Sequence, residues 1–223
     1  MPSPNGRDAF VTGATGYVGR GLVAALVERG HRVTALTRES AASRVPGGAQ
    51  VVIGNALDAS TYVDRVPRDA VFVHLVGVSH PSPAKAREFE TIDLASARES
   101  VRAAQASNAR HLVYVSVAHP ASVMRAYIAA RIAAEALIGD SGIPATILRP
   151  WYVLGPGHRW PYVLLPIYAL LEHLPATRAS ALRLGLVTHA QMIAALVHAV
   201  ETADSATAMR SLDVPAIRSV ARA

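Results

Sequence analysis

The sequence contains no cysteine among its 223 residues. Disulfide bonds, thiolate metal ligands and a cysteine nucleophile are therefore excluded. Apolar residues make up 51% of the chain, which is enough for a chain of this length to bury a core. We expect one domain over residues 1–223, with a core at 8–150, a smaller covering region at about 151–187, and a final helix and strand at 188–215.

Lysine is almost absent as well, because Lys85 is the only one in the chain. The formal net charge is nevertheless +6 and the pI is near 10.2, a balance that can accompany nucleic-acid binding. The arginines are scattered and form no run or basic helix. We therefore expect no nucleic-acid surface.

The chain also lacks an uninterrupted apolar run long enough to span a bilayer. Its first residues, MPSPNGRDAFVTG, pass from polar residues straight into a predicted strand without the apolar segment of a secretory signal, so the expected location is cytoplasmic. The most apolar stretch, at 151–175, is interrupted by Pro161 and Pro166. We predict a loop and a packed helix there, with membrane association through 160–175 left open as an alternative.

Short β-rich runs alternate with longer helical stretches along the chain. The predicted strands are 9–13, 32–37, 50–54, 70–77, 111–117, 144–150 and 210–215. The predicted helices are 17–29, 58–66, 84–106, 123–139 and 188–203. The strands are almost continuously apolar, which is typical of parallel strands covered on both faces. The alternation predicts an α/β fold with a doubly wound parallel sheet and right-handed crossovers.

Three glycines lie between the first predicted strand and the first predicted helix. Gly13, Gly16 and Gly19 have the spacing G-x-x-G-x-x-G. Glycine allows a tight turn, a close backbone approach to a pyrophosphate and close packing of the helix on the strand. The helix N-terminus adds free N–H groups and the positive end of the helix dipole. The pattern and its context predict a dinucleotide site.

The end of the second strand, about twenty residues further on, indicates which dinucleotide binds. No aspartate or glutamate ends this strand to hold a ribose diol; Thr37 and Arg38 stand there instead. A guanidinium matches a 2′-phosphate in charge and geometry. We expect NADP rather than NAD. The alternative is that Arg38 is a surface residue paired with Glu39.

A family resemblance rests on these motifs and on several shorter ones. The run VTGATGYVGRGLVAALVERGHRVTALTRES is followed by GNALD, HLVG, LVYVSV, YIAAR and ILRPWYVLGPG. Across residues 8–203 the chain resembles the extended or atypical short-chain dehydrogenases/reductases, most of all their NAD(P)H-binding, NmrA-like and complex-I-subunit-like group. The resemblance implies a Rossmann sheet with strand order 3-2-1-4-5-6-7 and a small C-terminal substrate region.

The resemblance also implies which residues would hold the dinucleotide. They match the phosphate loop, the ends of strands 2, 3 and 4, and the stretch flanking the nicotinamide: Gly13, Thr15, Gly16, Tyr17, Val18, Gly19, Thr37, Arg38, Asn55, Ala56, Leu57, Leu75, Val76, Gly77, Pro150, Tyr152 and Val153. Asn55 departs from the aspartate usual in this family, although its amide oxygen can still accept a hydrogen bond from the adenine amine.

Catalytic members of this family carry Tyr-x-x-x-Lys on the helix after strand 5. There the tyrosine is the general acid or base, and the lysine binds the nicotinamide ribose and favours the phenolate. This chain has Tyr127 and Arg131 at the same spacing, on one helix face. Arginine keeps the charge but is planar and bulkier. The expected roles are Tyr127 as proton donor, Ser116 as orienter of a substrate carbonyl and Arg131 as ribose clamp. The alternative is an ion pair of Arg131 with Glu135 that draws it away from the cofactor.

Histidines are a further source of chemistry near predicted strand ends and loops. None shows metal spacing such as H-x-x-x-H, so we expect no metal site. The histidines concerned are His74, His80, His119, His158 and His189.

Two functions remain open from the sequence. The first is an oxidoreductase or epimerase-type enzyme that transfers hydride between NADP(H) and a carbonyl or alcohol carbon of a small molecule. The second is a non-catalytic NAD(P)H-binding redox sensor or assembly factor. The sequence identifies no substrate, and it leaves both a monomer and a homodimer open.

Overall fold

A seven-stranded parallel sheet forms the centre of the protein in a computed structural model, which describes residues 6–121, 123–155, 183–205 and 207–221. In chain order the strands are β1 Asp8–Thr12, β2 Arg32–Thr37, β3 Gln50–Ile53, β4 Val71–His74, β5 His111–Val115, β6 Ala145–Leu148, β7 Tyr152–Leu154, β8 Leu186–Thr188 and β9 Arg210–Leu212. The central sheet has the order β3-β2-β1-β4-β5-β6-β9, and β7 and β8 pair as a separate two-stranded sheet. The predicted strand order is confirmed.

Helices cover both faces of this sheet. They are α1 Tyr17–Glu28, α2 Ala86–Glu88, α3 Ala95–Ala106, α4 Arg125–Asp140, α5 His189–Glu201 and α6 Val214–Val220. Residues of α1, α5 and α6 form one core with the sheet, and residues of α3 and α4 form a second core on the opposite face. Strands covered on both faces must be apolar on both sides, which explains their continuous apolar runs. The doubly wound fold is confirmed.

Local sequence sets several of the helix ends. Gly142 follows α4 with φ +74°, the left-handed conformation expected where a helix stops. Helix α5 begins with a capping box, in which the Thr188 hydroxyl accepts from the Gln191 amide and the Gln191 side chain accepts from the Thr188 amide. These signals fix where α4 ends and where α5 begins.

Two predicted helices differ in the structure. The segment 58–66 forms two 3₁₀ turns, Ala59–Thr61 and Val63–Arg65, because the intervening Tyr62 turns inward and stacks on Phe10 with ring centroids 5.7 Å apart. The segment 84–106 is helical but not uniform, since six residues at its centre, Phe89–Leu94, are π-helical. A π-helical turn places side chains where an α-helix would not.

The last predicted strand is shorter than expected. It ends at Leu212 because Asp213 caps a further helix, α6, by accepting a hydrogen bond from the Ala216 amide, and Pro215 fits the first turn of that helix. The strands predicted at 70–77, 111–117 and 144–150 also end two or three residues early, so their last residues are free to form the loops at the sheet edge.

Residues 156–182 lie outside the described residues. They include His158, most of the predicted covering region and the segment 160–175 considered for membrane association. Among the residues that the structure does describe, every helix is too short or too polar to cross a lipid bilayer.

Two histidines are buried within the sheet. The Nδ1 atom of His74 lies 2.9 Å from the Thr12 hydroxyl and 2.8 Å from the Ser100 hydroxyl. Burial, with a smaller contribution from the Arg131 charge, lowers the pKa of His74 to about 3. Burial, together with the Arg210 charge, lowers the pKa of His111 to about 4. Both side chains are therefore neutral in the folded protein at neutral pH.

We predict that the free energy of unfolding falls as the pH drops from 6.5 toward 4. The unfolded chain gains protons on both histidines below their ordinary pKa of about 6.5, whereas the folded chain does not, so each histidine contributes a slope of about 1.4 kcal/mol per pH unit. Urea unfolding at several pH values measures this slope. His111→Asn should reduce it and His198→Gln, on an exposed residue of α5, should not. An unchanged slope in His111→Asn would contradict the assignment.

Candidate functional site

The three glycines after β1 lie where their backbones touch other backbone atoms. A Cβ added to Gly13, which has φ +73°, would lie 2.7 Å from the Leu75 carbonyl carbon. A Cβ added to Gly19 would lie 2.1 Å from the Gly13 oxygen. The Gly16 amide donates to the Gly13 oxygen at 3.0 Å and closes the turn. Any side chain at Gly13 or Gly19 would therefore push β4 or α1 away from the loop.

The N-terminus of α1 is open to an external acceptor. Its N-cap is Gly16, no side chain caps it among the described residues, and its first turn carries no acidic residue. The first N–H groups of a helix have no partner inside the helix, and its dipole is positive at this end. A phosphate is the group that such an end binds best.

A cleft of about 420 Å³ lies along the carboxyl ends of β1 to β4 beside this helix. Eleven of the predicted cofactor-binding residues line it: Gly13, Thr15, Gly16, Thr37, Arg38, Asn55, Ala56, Leu57, Leu75, Val76 and Gly77. The cleft, the glycine cradle and the open helix end together fit a dinucleotide.

Sequence reasoning missed six residues of the cleft wall, which are Leu36, Gly54, Val78, Ser79, Glu88 and Ile92. Leu36, Gly54 and Val78 adjoin predicted positions in the chain, and Ser79 is the next residue after Val78. A prediction that extended each strand end by two residues would have included all four. Glu88 and Ile92 carry no motif. They come from the segment before α3, and only the tertiary packing brings them to the cleft.

Tyr17 and Val18 turn their side chains away from the cleft. The Tyr17 ring packs on the His189 ring, with centroids 4.6 Å apart, and the His189 Nε2 atom lies 3.1 Å from the Tyr17 carbonyl oxygen. Val18 packs against the core. Only the backbone of these two residues is placed to meet a phosphate.

Pro150, Tyr152 and Val153 are separate from the cleft as the described residues define it. The Pro150 oxygen accepts from the Ala118 amide at 2.9 Å, and Tyr152 and Val153 belong to β7. Their contact with a nicotinamide stays a prediction.

The strand-end residues Arg38 and Asn55 both line the cleft, but they differ in whether their side chains already have a partner. Arg38 is exposed and forms no ion pair with Glu39 or with any other residue that the structure describes. The Asn55 Oδ1 atom accepts from the Leu57 amide at 3.0 Å, so it is already used in shaping the turn. Arg38 therefore keeps its charge available for an anion, whereas Asn55 shares its oxygen with the backbone.

Arg131 is buried and forms an ion pair with Asp93, not with Glu135. Its Nη2 donates to the Asp93 Oδ1 at 2.5 Å, and its Nη1 donates to the Val115 oxygen at 2.8 Å. The predicted alternative pair of Arg131 with Glu135 is wrong, because Glu135 forms a two-pronged pair with Arg149 at the end of β6. A spacing of four residues would allow Arg131 and Glu135 to pair, but each forms its ion pair with an oppositely charged residue from another element.

Tyr127 lies between an aromatic ring and a cation. Its ring is 5.0 Å from the Phe89 ring and 5.1 Å from the centre of the Arg131 guanidinium. The Tyr127 hydroxyl forms no hydrogen bond to any residue in the described part of the chain. A phenol with an adjacent cation and an unengaged hydroxyl is suited to proton transfer.

Tyr114 is the other tyrosine beside Arg131, and its state excludes it from that role. Its hydroxyl accepts from the Arg131 Nη1 at 3.2 Å. Burial raises the pKa of Tyr114 to about 12 against the opposing effect of Arg131. Tyr114 therefore stays protonated at neutral pH, and its role is to accept a hydrogen bond from the guanidinium.

Ser116 has a buried hydroxyl without a partner. The residue is 3% exposed, and its Oγ forms no hydrogen bond with any described residue. A buried polar atom left unpaired costs about 1–3 kcal/mol, so it is typical of sites where a ligand or a water completes the bond. Ser116 directly follows β5, at the same sheet edge as the cleft.

Metal ligands do not cluster in the described residues, since no three histidine, aspartate or glutamate side chains converge there. His119 approaches Glu135, with 3.6 Å between its Nε2 and the carboxylate, but Arg149 already occupies that carboxylate.

Comparison with known proteins identifies the family. Residues 13–164, more than half of the chain, match the sequence profile of the family described as NAD(P)H-binding. The chain belongs to this family. NAD(P)H binding is therefore supported, and the resemblance to the short-chain dehydrogenase/reductase group is confirmed.

Curated relatives of the chain are reductases by name. The ceramide reductase of Caulobacter vibrioides (strain NA1000 / CB15N) is 32% identical over 152 residues, covering 66% of this chain and 46% of that protein. The 3-diazoavenalumate denitrifying reductase of Streptomyces sp is 31% identical over 174 residues, covering 66% of this chain and 57% of that protein. The chain thus spans about half the length of the curated relatives it matches.

Solved structures share the fold at low identity. The WbmH enzyme of Bordetella bronchiseptica in complex with NAD⁺ gives a TM-score of 0.67 at 21% identity, covering 88% of this chain and 73% of that one. A UDP-galactose 4-epimerase gives 0.70 at 18% identity, covering 92% and 76%. These similarities confirm the Rossmann fold.

We predict that Gly19→Ala destroys dinucleotide binding and lowers stability. The new Cβ would overlap the Gly13 oxygen and move α1 off the loop, at a cost of about 2 kcal/mol or more. Urea unfolding and titration with NADPH measure the two effects. The matched control is Gly139→Ala in α4, whose Cβ would lie in ordinary contact with the Met209 side chain, 3.7 Å from its Cε and 3.8 Å from its Sδ, and should be neutral or stabilising. Normal NADPH binding by Gly19→Ala would contradict the cradle.

Proposed function

We propose that the protein is an NADP(H)-dependent reductase that acts on the carbonyl group of a small molecule. The observation that carries the proposal is a cleft with a glycine cradle at the same sheet edge as two unengaged hydroxyls, that of Ser116 directly after β5 and that of Tyr127 in the first turn of α4. A cradle alone would serve a binding protein equally well. The two hydroxyls at the same sheet edge favour chemistry on a carbonyl.

The choice of NADP over NAD rests on Arg38. Its guanidinium lines the cleft at the end of β2, is exposed and has no acidic partner among the described residues. An anion such as a 2′-phosphate would be attracted to it, whereas a ribose diol would be better held by a carboxylate. Glu88 also lines the cleft, but it comes from α2 rather than from the end of β2.

The chain's own residues have distinct tasks in this reaction. The reduced nicotinamide, when bound, supplies a hydride to the carbonyl carbon. Ser116 would donate a hydrogen bond to the carbonyl oxygen and orient it. Tyr127 would then transfer its phenolic proton to that oxygen as negative charge develops there, which yields the alcohol. Arg131 would face the phenolate that remains and stabilise it until solvent returns the proton.

The curated relatives described above are named as reductases, which favours an enzyme over the alternative of a sensor or assembly factor. Their names give different substrates, a ceramide and 3-diazoavenalumate. The reaction class is therefore better supported than any particular substrate.

We predict that Arg38→Ala weakens NADPH binding about tenfold to a hundredfold and leaves NADH binding within about twofold, because one charge-assisted contact to the 2′-phosphate is lost. Fluorescence titration with each nucleotide measures both. Arg44→Ala is the matched control, since Arg44 is exposed at the end of the 3₁₀ helix Glu39–Arg44 that follows β2 and does not line the cleft. Equal losses for the two nucleotides would overturn the assignment of NADP.

We predict that Tyr127→Phe lowers kcat about a hundredfold or more with any aldehyde or ketone found active in a panel, because a positioned general acid is lost. Ser116→Ala should lower kcat/KM less, and neither variant should change the affinity for NADPH. NADPH consumption at 340 nm is the assay. A Tyr127→Phe protein with unchanged kcat would remove Tyr127 from the chemistry.

A further inference from the structure

The π-helical segment Phe89–Leu94 holds both functional side chains of α4. Phe89, at its start, packs on the Tyr127 ring at 5.0 Å. Asp93, four residues later, accepts from the Arg131 Nη2 at 2.5 Å. This one short segment thus presents an aromatic ring and a carboxylate to the same facing helix. π-Helical turns are frequent at functional sites.

Asp93 ties Arg131 to the loop that follows β4. Its second oxygen, Oδ2, accepts from the Val78 amide at 3.0 Å. Asp93 is 1% exposed and Arg131 is 6% exposed, so the bond between them is shielded from water. The carboxylate therefore fixes two things at once, the position of the guanidinium and the course of the loop that lines the cleft.

Gly77 shows how closely the guanidinium approaches the cleft wall. A Cβ added to Gly77 would lie 2.3 Å from the Arg131 Nη2 atom, and Gly77 itself lines the cleft. Arg131 thus lies directly behind the wall, with its guanidinium 5.1 Å from the Tyr127 ring centre. It links the dinucleotide cleft to the candidate proton donor.

One donor of Arg131 is left over. Asp93, Val115 and Tyr114 occupy its two terminal nitrogens, but its buried Nε forms no hydrogen bond with any described residue. A buried donor of a charged group is costly to leave unpaired. A guanidinium that is fixed by a carboxylate and keeps one N–H unpaired can donate a hydrogen bond to a further acceptor.

The order of the strands indicates which part of the dinucleotide this concerns. Arg38 and the glycine loop lie at β2 and β1, where the adenosine and the phosphates would bind. Arg131 contacts Val115 on β5, which is separated from β1 by β4 and lies on the opposite side of β1 from β2. A dinucleotide that passes the glycine loop therefore extends its nicotinamide half toward Arg131.

We propose that Asp93 is a positioning residue, which holds the Arg131 guanidinium so that the nicotinamide half of NADP(H) is fixed beside Tyr127. The inference rests on the proposed NADP(H) binding. Asp93 and Arg131 form a carboxylate–guanidinium fork. A lysine ammonium cannot replace the guanidinium, because it cannot contact Asp93, the Val115 oxygen and Tyr114 in the same geometry. Arginine, at the position where the family resemblance implies lysine, is then a functional part of this site.

The test compares two probes on the same variants. NADPH has both halves of the dinucleotide, and adenosine 2′,5′-bisphosphate has only the adenosine half. Asp93→Asn keeps the shape of the side chain but removes its charge. We expect the NADPH dissociation constant of Asp93→Asn to rise about tenfold, while that of adenosine 2′,5′-bisphosphate stays within about twofold. Calorimetry measures both constants, and no substrate is needed.

Two further variants sharpen the result. Arg131→Lys keeps the charge but loses the fork, and it should show the same selective loss for NADPH. Glu135→Gln breaks the neighbouring, partly buried ion pair with Arg149. Neither residue of that pair lines the cleft, so this variant is the matched control and should show no selective loss.

The outcomes separate the two proposals. Equal losses for both probes in Asp93→Asn, or no loss for either, would overturn the positioning role while NADPH binding by the natural chain stands. Arg131→Lys with unchanged NADPH affinity would overturn the fork. A natural chain that binds neither probe would overturn the proposed function, and this inference with it.

Discussion

The close approach of backbones at the glycine loop is the constraint on which the rest of the structure depends. Gly13 rests on the Leu75 backbone at the end of β4, and Gly19 rests on the Gly13 oxygen. Because no side chain separates these segments, α1 begins at the sheet edge, with its free N–H groups beside the strand ends. A side chain at either glycine would push α1 or the end of β4 away from the loop and deform the cleft.

The polar face of helix α4 forms two separate ion pairs. Tyr127, Arg131 and Glu135 follow one another at four-residue spacing, but they serve different partners. Arg131 joins Asp93 on the face that holds the dinucleotide cleft, and Glu135 joins Arg149 at the end of β6. The pair of Arg131 with Asp93 is buried, the pair of Glu135 with Arg149 is partly buried, and each partner comes from another element. Together they fix the rotation of α4 about its axis, and thereby where the Tyr127 ring stands.

Much of this architecture was accessible from the sequence. The alternation of apolar runs predicted the doubly wound sheet, and the glycine spacing predicted the dinucleotide loop. The family resemblance implied the strand order and eleven of the residues that line the cleft. Both signals are local, since a parallel strand buried on both faces must be apolar and a backbone contact needs glycine. The misjudged elements are those where a distant contact outweighed the local preference, as when Tyr62 turned inward to stack on Phe10.

The sequence by itself determined the fold, the glycine cradle and the identity of the tyrosine and arginine on α4. Only the tertiary structure decided which carboxylate Arg131 binds, that the Ser116 hydroxyl is buried and unpaired, and that a π-helical turn stands opposite Tyr127. The physical reason is that ion pairs and buried hydrogen bonds depend on distances between elements. A spacing along one helix shows which partners are within reach, but the competition among all charges brought together by folding decides which pair forms.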